Sequence, residues 1–223
     1  MSEIQIYYLY PKQLQTSLDK LGIDLSSSFR QGDKSLEELK AEIKTNPKFC
    51  RNEQSIRYDH FLQLLFNDIT LYAQIDGKVV GVLEFMFNVK NGEKVIIFDG
   101  ICSPIEYSKL GVGQELINSL IRIGKMNGHK YIMLECQGSI MNYYKNKFGF
   151  QVTSQHVAYD SDADSDDEDD DNSGEIYYNM RLDLSTIVGG RKRTNRKRTN
   201  KIRTNRKRSN KIRTLKRNNK NKK

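Results

Sequence analysis

The sequence predicts an α/β domain in which helices flank a central, twisted, mixed sheet that is mostly antiparallel. Three observations predict it. The stretch ITLYAQIDGKVVGVLEFMFNVKNGEKVIIFDGICS, from Ile69 to Ser103, holds three runs rich in β-branched and aromatic residues, divided by Asp76-Gly77 and Asn91-Gly92. Both dipeptides accept the positive φ that a two-residue hairpin demands, so the runs form an antiparallel meander. Directly after it, SKLGVGQELINSLIRIGKMNG passes from a glycine-bearing loop into an amphipathic helix, and KYIMLEC follows as a further strand. Finally, 223 residues, 37% of them hydrophobic, suffice for one well-buried core, although some segments are too polar to join it.

The remaining elements follow in order. IQIYYLY near the start reads as a strand. In SLEELKAEIK, Ser35 stands three residues before Glu38, the spacing of a capping box, and starts a helix. Another helix is expected around Tyr58 to Phe66, leading into the meander. In the helix after the glycine loop, Val112, Leu116, Leu120 and Ile121 recur near helical spacing, and Asn127-Gly128 stops the run. HVAYD and GEIYYNMRLDL form the last two strands, a hairpin whose tip is an acidic run.

Charge divides the chain. The net charge is +9, yet 18 of the 37 Lys and Arg stand from Arg191 onward with no acid among them, leaving 19 against 28 acids in the body. Nine of those acids lie in DSDADSDDEDDD, Asp160 to Asp171. The expected organisation is a domain over residues 1–188, with an acidic hairpin insert at 160–174, and a basic tail over 189–223. The tail reads RKRTN, RKRTN, KIRTN, RKRSN, KIRTL, a five-residue period that matches neither helix nor strand and is almost free of apolar side chains. Such a segment is expected to be disordered in isolation, with Gly189 and Gly190 as its joint. Its cations would neutralise phosphates without reading sequence, so nonspecific binding of nucleic acid through residues 191–223 is one expectation and a nuclear-import signal another.

Other classes are disfavoured. Cys50, Cys102 and Cys136 are odd in number without CxxC spacing, which suggests neither a disulfide framework nor a zinc site and reads as a reduced intracellular protein, cytoplasmic or nuclear. MSEIQIYYLYPK has no basic region ahead of an apolar run, and no stretch of 18 apolar residues occurs, so neither a secretion signal nor a membrane span is expected. His60, His129 and His156 are scattered without metal spacing and are assigned no role; no metal is expected.

The glycine loop carries the chemistry. Gly111 and Gly113 remove side chains where backbone N–H groups could converge on an anion at the positive end of a helix, although such glycines also serve simply to turn a chain. A dinucleotide fingerprint needs a small residue where Leu116 stands, and a P-loop needs Gly-Lys-Ser/Thr, which is absent. What fits is IIFDGICSPIEYSKLGVGQELINSLI with YIMLECQGSIMNYYKNKFGF downstream, which resembles the GNAT superfamily of acetyl-CoA-dependent N-acetyltransferases over roughly Thr70 to Leu184. The family's loop pattern of Arg or Gln, two residues, Gly, one residue, then Gly or Ala becomes Ser108 to Gly113, with Ser108 the departure and Lys109 a neighbouring charge. The second signature, a helix with tyrosine ending in Gly-Phe, becomes Tyr144 to Phe150 with one extra residue; counting from Gln137 favours Tyr144 over Tyr143.

The resemblance implies a CoA pyrophosphate cradle at Lys109, Leu110, Gly111, Val112, Gly113 and Gln114. It also implies a strand end at Ile101, Cys102 and Ser103 whose backbone meets the thioester and pantetheine. Tyr144 becomes the general acid, with a packed core aromatic as the other reading. Val95 stands where some lysine acetyltransferases carry glutamate, so Glu84, Asp99 and Glu135 remain as carboxylates on neighbouring strands. Each is either the base or an ordinary solvent-facing carboxylate, and water is a further option. Cys102 reads as a small packed residue, with a covalent acyl-cysteine as the minor alternative. The acceptor is a primary amine, and protein lysines or N-termini, polyamines and small amines stay open, the basic tail inclining toward protein. The rival reading is a nucleic-acid-binding protein whose GNAT-like domain is inactive or a scaffold.

Overall fold

In a computed structural model, residues 3–27, 29–49, 68–158 and 175–187 are described. The helix expected at Tyr58 to Phe66, the acidic insert and the basic tail lie outside them. Every element belongs to the first of two units into which the chain divides, Met1–Thr186. Eight strands form one sheet: β1 (Gln5–Leu9), β2 (Arg30–Gln31), β3 (Ile69–Ile75), β4 (Lys78–Lys90), β5 (Glu93–Cys102), β6 (Tyr131–Gln137), β7 (Gln151–Ala158) and β8 (Glu175–Asp183), in the order β2-β1-β3-β4-β5-β6-β8-β7. Among the described residues, four helices accompany them: α1 (Gln15–Leu21), α2 (Leu36–Thr45), α3 (Val112–Met126) and α4 (Gly138–Phe148). Among the described residues, only β1–β2 and β5–β6 pair in parallel. The mixed, mostly antiparallel sheet is the one expected.

Local chemistry explains the boundaries. Asp76 and Gly77 adopt φ of 51° and 78°, and Asn91 and Gly92 adopt 54° and 77°, so both hairpins turn through paired positive φ. Helix α2 opens with the capping box: Ser35 N–H donates to Glu38 Oε2 at 2.7 Å and Glu38 N–H donates to Ser35 Oγ at 3.1 Å. A cap of this kind contributes about 1 kcal/mol. Further along, Glu42 accepts from the Val79 N–H at 2.8 Å and pairs with Lys34 at 2.9 Å, which fastens α2 over the start of β4. Leu39 and Ile43 are then buried with Leu9, Phe49, Tyr72, Val82 and Cys102 on one face of the sheet.

Helix α3 covers the opposite face through Val112, Leu116, Ile117, Leu120 and Ile123. Ile121, expected in that stripe, is only partly buried, because the apolar face runs through Ile117 and Ile123 instead. The helix lies close: a Cβ on Gly81 would come 2.4 Å from Val112 Cγ1, and one on Gly124 would come 2.6 Å from Leu184 Cδ1. The final hairpin is longer than expected, since β7 begins at Gln151, and β8 lies between β6 and β7. Among the described residues, no helix is long and apolar enough to cross a membrane.

Candidate active site

Two interruptions in hydrogen bonding open the centre of the sheet. Strand β5 pairs with β6 only from Val95↔Tyr131 to Phe98↔Leu134, although β5 continues to Cys102 and β6 to Gln137. Beyond Phe98 the two parallel strands part, and their facing backbone groups are left without each other. On the other side of β5, Glu84 pairs with Gly100 while Phe85 pairs with Phe98, so Asp99 is an extra residue in a β-bulge. A bulge bends its strand and re-aims side chains.

The glycine loop stands beside this opening. A 3-10 turn, Ile105–Leu110, leads to Gly111, whose φ of 82° makes it the N-cap of α3 without a side-chain cap. The first N–H groups of a helix lack intrahelical acceptors, and here Glu115 is the first to donate back, to the Gly111 carbonyl at 3.0 Å. Lys109 and Gln114 are exposed around that end, and Leu110 is exposed as well. Val112 is fully buried, so only its backbone can face a ligand. A Cβ on Gly113 would lie 3.6 Å from Ile101 Cδ1 and 4.0 Å from the Tyr143 hydroxyl. The loop, the end of β5 and α4 therefore converge. Ser103 follows, partly buried, just past the strand.

The two tyrosines part company. Tyr144 is buried, its ring edge-on to Phe98 at 6.0 Å and Phe150 at 5.8 Å, and burial pushes its hydroxyl pKa up. Tyr143, contacting it at 5.4 Å, is 44% exposed and carries the hydroxyl nearest Gly113. Its pKa is also raised by burial.

Of the three carboxylates, one contradicts the solvent-facing reading outright. Glu84 is 0% exposed: Oε1 accepts from the Thr70 hydroxyl at 2.8 Å, Oε2 is buried without a partner, and burial raises its pKa well above the ordinary value. The cause is its register opposite Thr70 and Gly100, between central strands. Asp99 is partly buried with Oδ2 unpartnered, and burial, then the Asp68 carboxylate, pushes its pKa up to about 7. Glu135 is exposed and lies 3.7 Å from His156 Nε2. Val95 pairs with Tyr131 where the strands are still joined.

Cysteine chemistry needs correction. Cys102 is disulfide-bonded, against the expectation of three reduced thiols, and so presents no thiol for a covalent acyl route. Cys136 is free and buried, its pKa pushed up to about 11 by desolvation. His129 is buried against Phe87, and desolvation pushes its pKa down to about 4, which keeps it neutral. Asp68 and the group formed by Glu135, His156, Gln137, Glu175 and Tyr177 were not singled out as a unit by sequence. Only the β6–β8–β7 register brings the latter together.

A parted pair of parallel strands beside an uncapped, glycine-led helix is the architecture of a transferase that grips a CoA thioester. A model of the Acetyltransferase (GNAT) family matches residues 35–150, just over half of the chain, and the chain belongs to that family. It is an acyltransferase with acetyl-CoA as its co-substrate. Similar solved structures include an IAA acetyltransferase from Bacillus cereus, 14% identical, covering 81% of this chain and 99% of that one with a TM-score of 0.48. The ribosomal-protein-S18-alanine N-acetyltransferase from Escherichia coli is 14% identical, with 85% and 99% covered and a TM-score of 0.44. A GNAT family acetyltransferase from Elizabethkingia anophelis, solved with acetyl-CoA bound, is 13% identical, with 62% and 99% covered and a TM-score of 0.44. No curated protein matches.

Proposed function

We propose that the chain transfers an acetyl group to a primary amine at the opening between β5 and β6. The observation that carries this reading is the convergence of Gly113, Ile101 and Tyr143 at an uncapped helix start. Acetyl-CoA supplies an activated thioester carbonyl. The first N–H groups of α3 from Val112 to Gln114, with Lys109, hold the pyrophosphate, because a helix N-terminus favours anions. Of Ile101 and Cys102, both still paired with β4, the one whose backbone N–H faces the gap left by β6 polarises the carbonyl. Asp99 takes the proton from the incoming ammonium, its pKa of about 7 being matched to a base at neutral pH, and Glu84 is the alternative. Tyr144 or Tyr143 returns a proton to the leaving thiolate. Both keep their protons at neutral pH, and the position of the Tyr143 hydroxyl beside Gly113 gives it the better access.

Calorimetry of the full chain with acetyl-CoA, followed by an acetyl-transfer screen against histones, generic peptides and spermidine, tests this. Saturable binding with transfer is expected; no binding refutes it. A second reading, favoured by the 18 cations after Gly190 and by Ser108 in place of Arg or Gln, is nucleic-acid binding with the domain as scaffold. It predicts salt-sensitive binding of duplex DNA without acetyl transfer.

A further inference from the structure

The sheet face opposite α3 and α4 carries carboxylates on both sides of the opening. Asp68, Glu84 and Asp99 stand on the β5 side. Asp68 is 4% exposed and Glu84 is 0%, and neither Glu84 Oε2 nor Asp99 Oδ2 has a hydrogen-bond partner. Buried acceptors left unmet are costly, and Asp99, partly exposed where Glu84 is not, is the one an incoming cationic donor can reach. Across the opening, Glu135 is the first residue of β6 beyond its last pair with β5. Its neighbour His156 stacks on Tyr177 with ring centroids 5.8 Å apart. The Tyr177 hydroxyl donates to Glu175 at 3.0 Å, and Glu175 also accepts from Gln137 Nε2 at 2.9 Å. Gln137 pairs with Tyr177, and Tyr177 with His156, so these side chains share one face. Among the described residues, two cations bear on these groups. Lys40, on α2, is drawn to Glu84; Arg181 lies further along β8, over the Tyr131 ring at 4.5 Å.

We propose that the acceptor is a lysine within an arginine-rich peptide, its reacting amine held at Asp99 and a neighbouring cationic side chain held by Glu135 and Glu175. This rests on the acetyltransferase reading. An extended peptide suits the site better than a compact polyamine, because the outer carboxylates lie on an open face: Glu135 has a half-exposed side chain, and β7 is exposed along its whole length. The chain's own RKRTN repeats have this chemistry, with lysine between arginines. In the step itself, the lysine ammonium gives a proton to the Asp99 carboxylate. Its neutral nitrogen then forms the amide bond as the thioester C–S bond breaks; the thiolate takes a proton from the tyrosine, the second proton leaving the nitrogen restores that tyrosine, and the proton held on Asp99 passes to solvent.

The test gives the full-length protein acetyl-CoA with one of three acceptors: the peptide RKRTNRKRTNKIRTN, the same peptide with every Arg replaced by Gln, or spermidine. Thiol release and mass spectrometry follow the reaction. The basic peptide is expected to exceed the Gln peptide in kcat/KM by about tenfold, as two partly exposed charge pairs would give. Glu135→Gln with Glu175→Gln should raise KM for the basic peptide by about fivefold or more, hardly change KM for the Gln peptide, and leave acetyl-CoA affinity intact as proof of folding. Equal kcat/KM for the two peptides, preference for spermidine, or an unchanged KM in the double variant overturns the assignment while the acetyltransferase reading stands. Failure of the parent to bind acetyl-CoA overturns both.

Discussion

Asp99→Asn should make the protein more stable at pH 8 and less active. The carboxyl of Asp99 has its pKa raised from an ordinary 3.8 to about 7, so it binds a proton more tightly in the folded than in the unfolded chain. Between those values stability falls as pH rises, and above about 7 the full penalty is present. At 1.36 kcal/mol per pH unit, the interval from 3.8 to about 7 bounds the penalty at about 4 kcal/mol. Solvent on the exposed part of the side chain, and an amide donor that must find a partner, reduce the gain to about 2 kcal/mol. For a domain of this size that is a Tm increase of about 4–8 °C at pH 8. At pH 4, where the native carboxyl is already protonated, the increase should vanish. Thermal melts of parent and variant across pH 4–8 measure this directly, and kcat/KM for acetyl transfer should fall by about 10²-fold with loss of the acidic limb near pH 7. An equal Tm change at both ends of the range, or a lower Tm at pH 8, would refute the assignment of a destabilising buried charge. A retained acidic limb would move the base to Glu84 or water.

Gly113→Asp should fold normally, since its Cβ meets only ordinary contacts at 3.6 and 4.0 Å, yet lose acetyl-CoA binding in calorimetry because a carboxylate then faces the pyrophosphate. Tyr143→Phe and Tyr144→Phe, measured side by side, should lower turnover by about 10²-fold only in the variant that removes the proton donor; equal, undiminished rates with chemistry limiting would leave water as donor. Gly81→Ala, whose Cβ would lie 2.4 Å from Val112 Cγ1, should cost about 1–3 kcal/mol in urea melts and weaken acetyl-CoA binding by pushing away the start of α3. Replacing the acids of Asp160 to Asp171 by Ser or Asn should tighten duplex binding at low salt, with the difference fading as salt rises, if that run competes for the basic tail; equal titrations would show the two segments to be independent.

Local chemistry made much of this fold legible. Asp76-Gly77 and Asn91-Gly92 announce their hairpins because few other dipeptides accept two positive φ values in succession, and Ser35 with Glu38 announces α2 because a capping box is written within four residues. The glycine loop was legible for the same reason. What failed depends on distant pairing. Glu84 stands in a strand whose flanking residues say nothing of its lateral neighbours, and only the register against Thr70 and Gly100 buries it. The disulfide at Cys102 is likewise invisible to spacing rules, since three cysteines without CxxC spacing name no pair. Glu135, His156 and Tyr177 come from three strands, and no local pattern joins them.

The least legible feature organises the rest. In an unbroken β5, side chains alternate faces, so Phe98, Gly100 and Cys102 would share one side and Asp99 and Ile101 the other. The extra residue at Asp99 resets that alternation. Phe98 pairs with Phe85 on the α3 side, where its ring meets Tyr144, and Ile101 returns to that side to lie against Gly113. Cys102, opposite Val82, joins the core under α2, while Asp99 stays with Glu84 on the other face. One inserted residue thus delivers an apolar side chain to the glycine loop and a carboxylate to the opposite face, and it does so where β5 leaves β6. In the sequence that residue is the first half of Asp99-Gly100, a dipeptide that signals a hairpin elsewhere in this same chain, so its role follows only from the partners on either side of it.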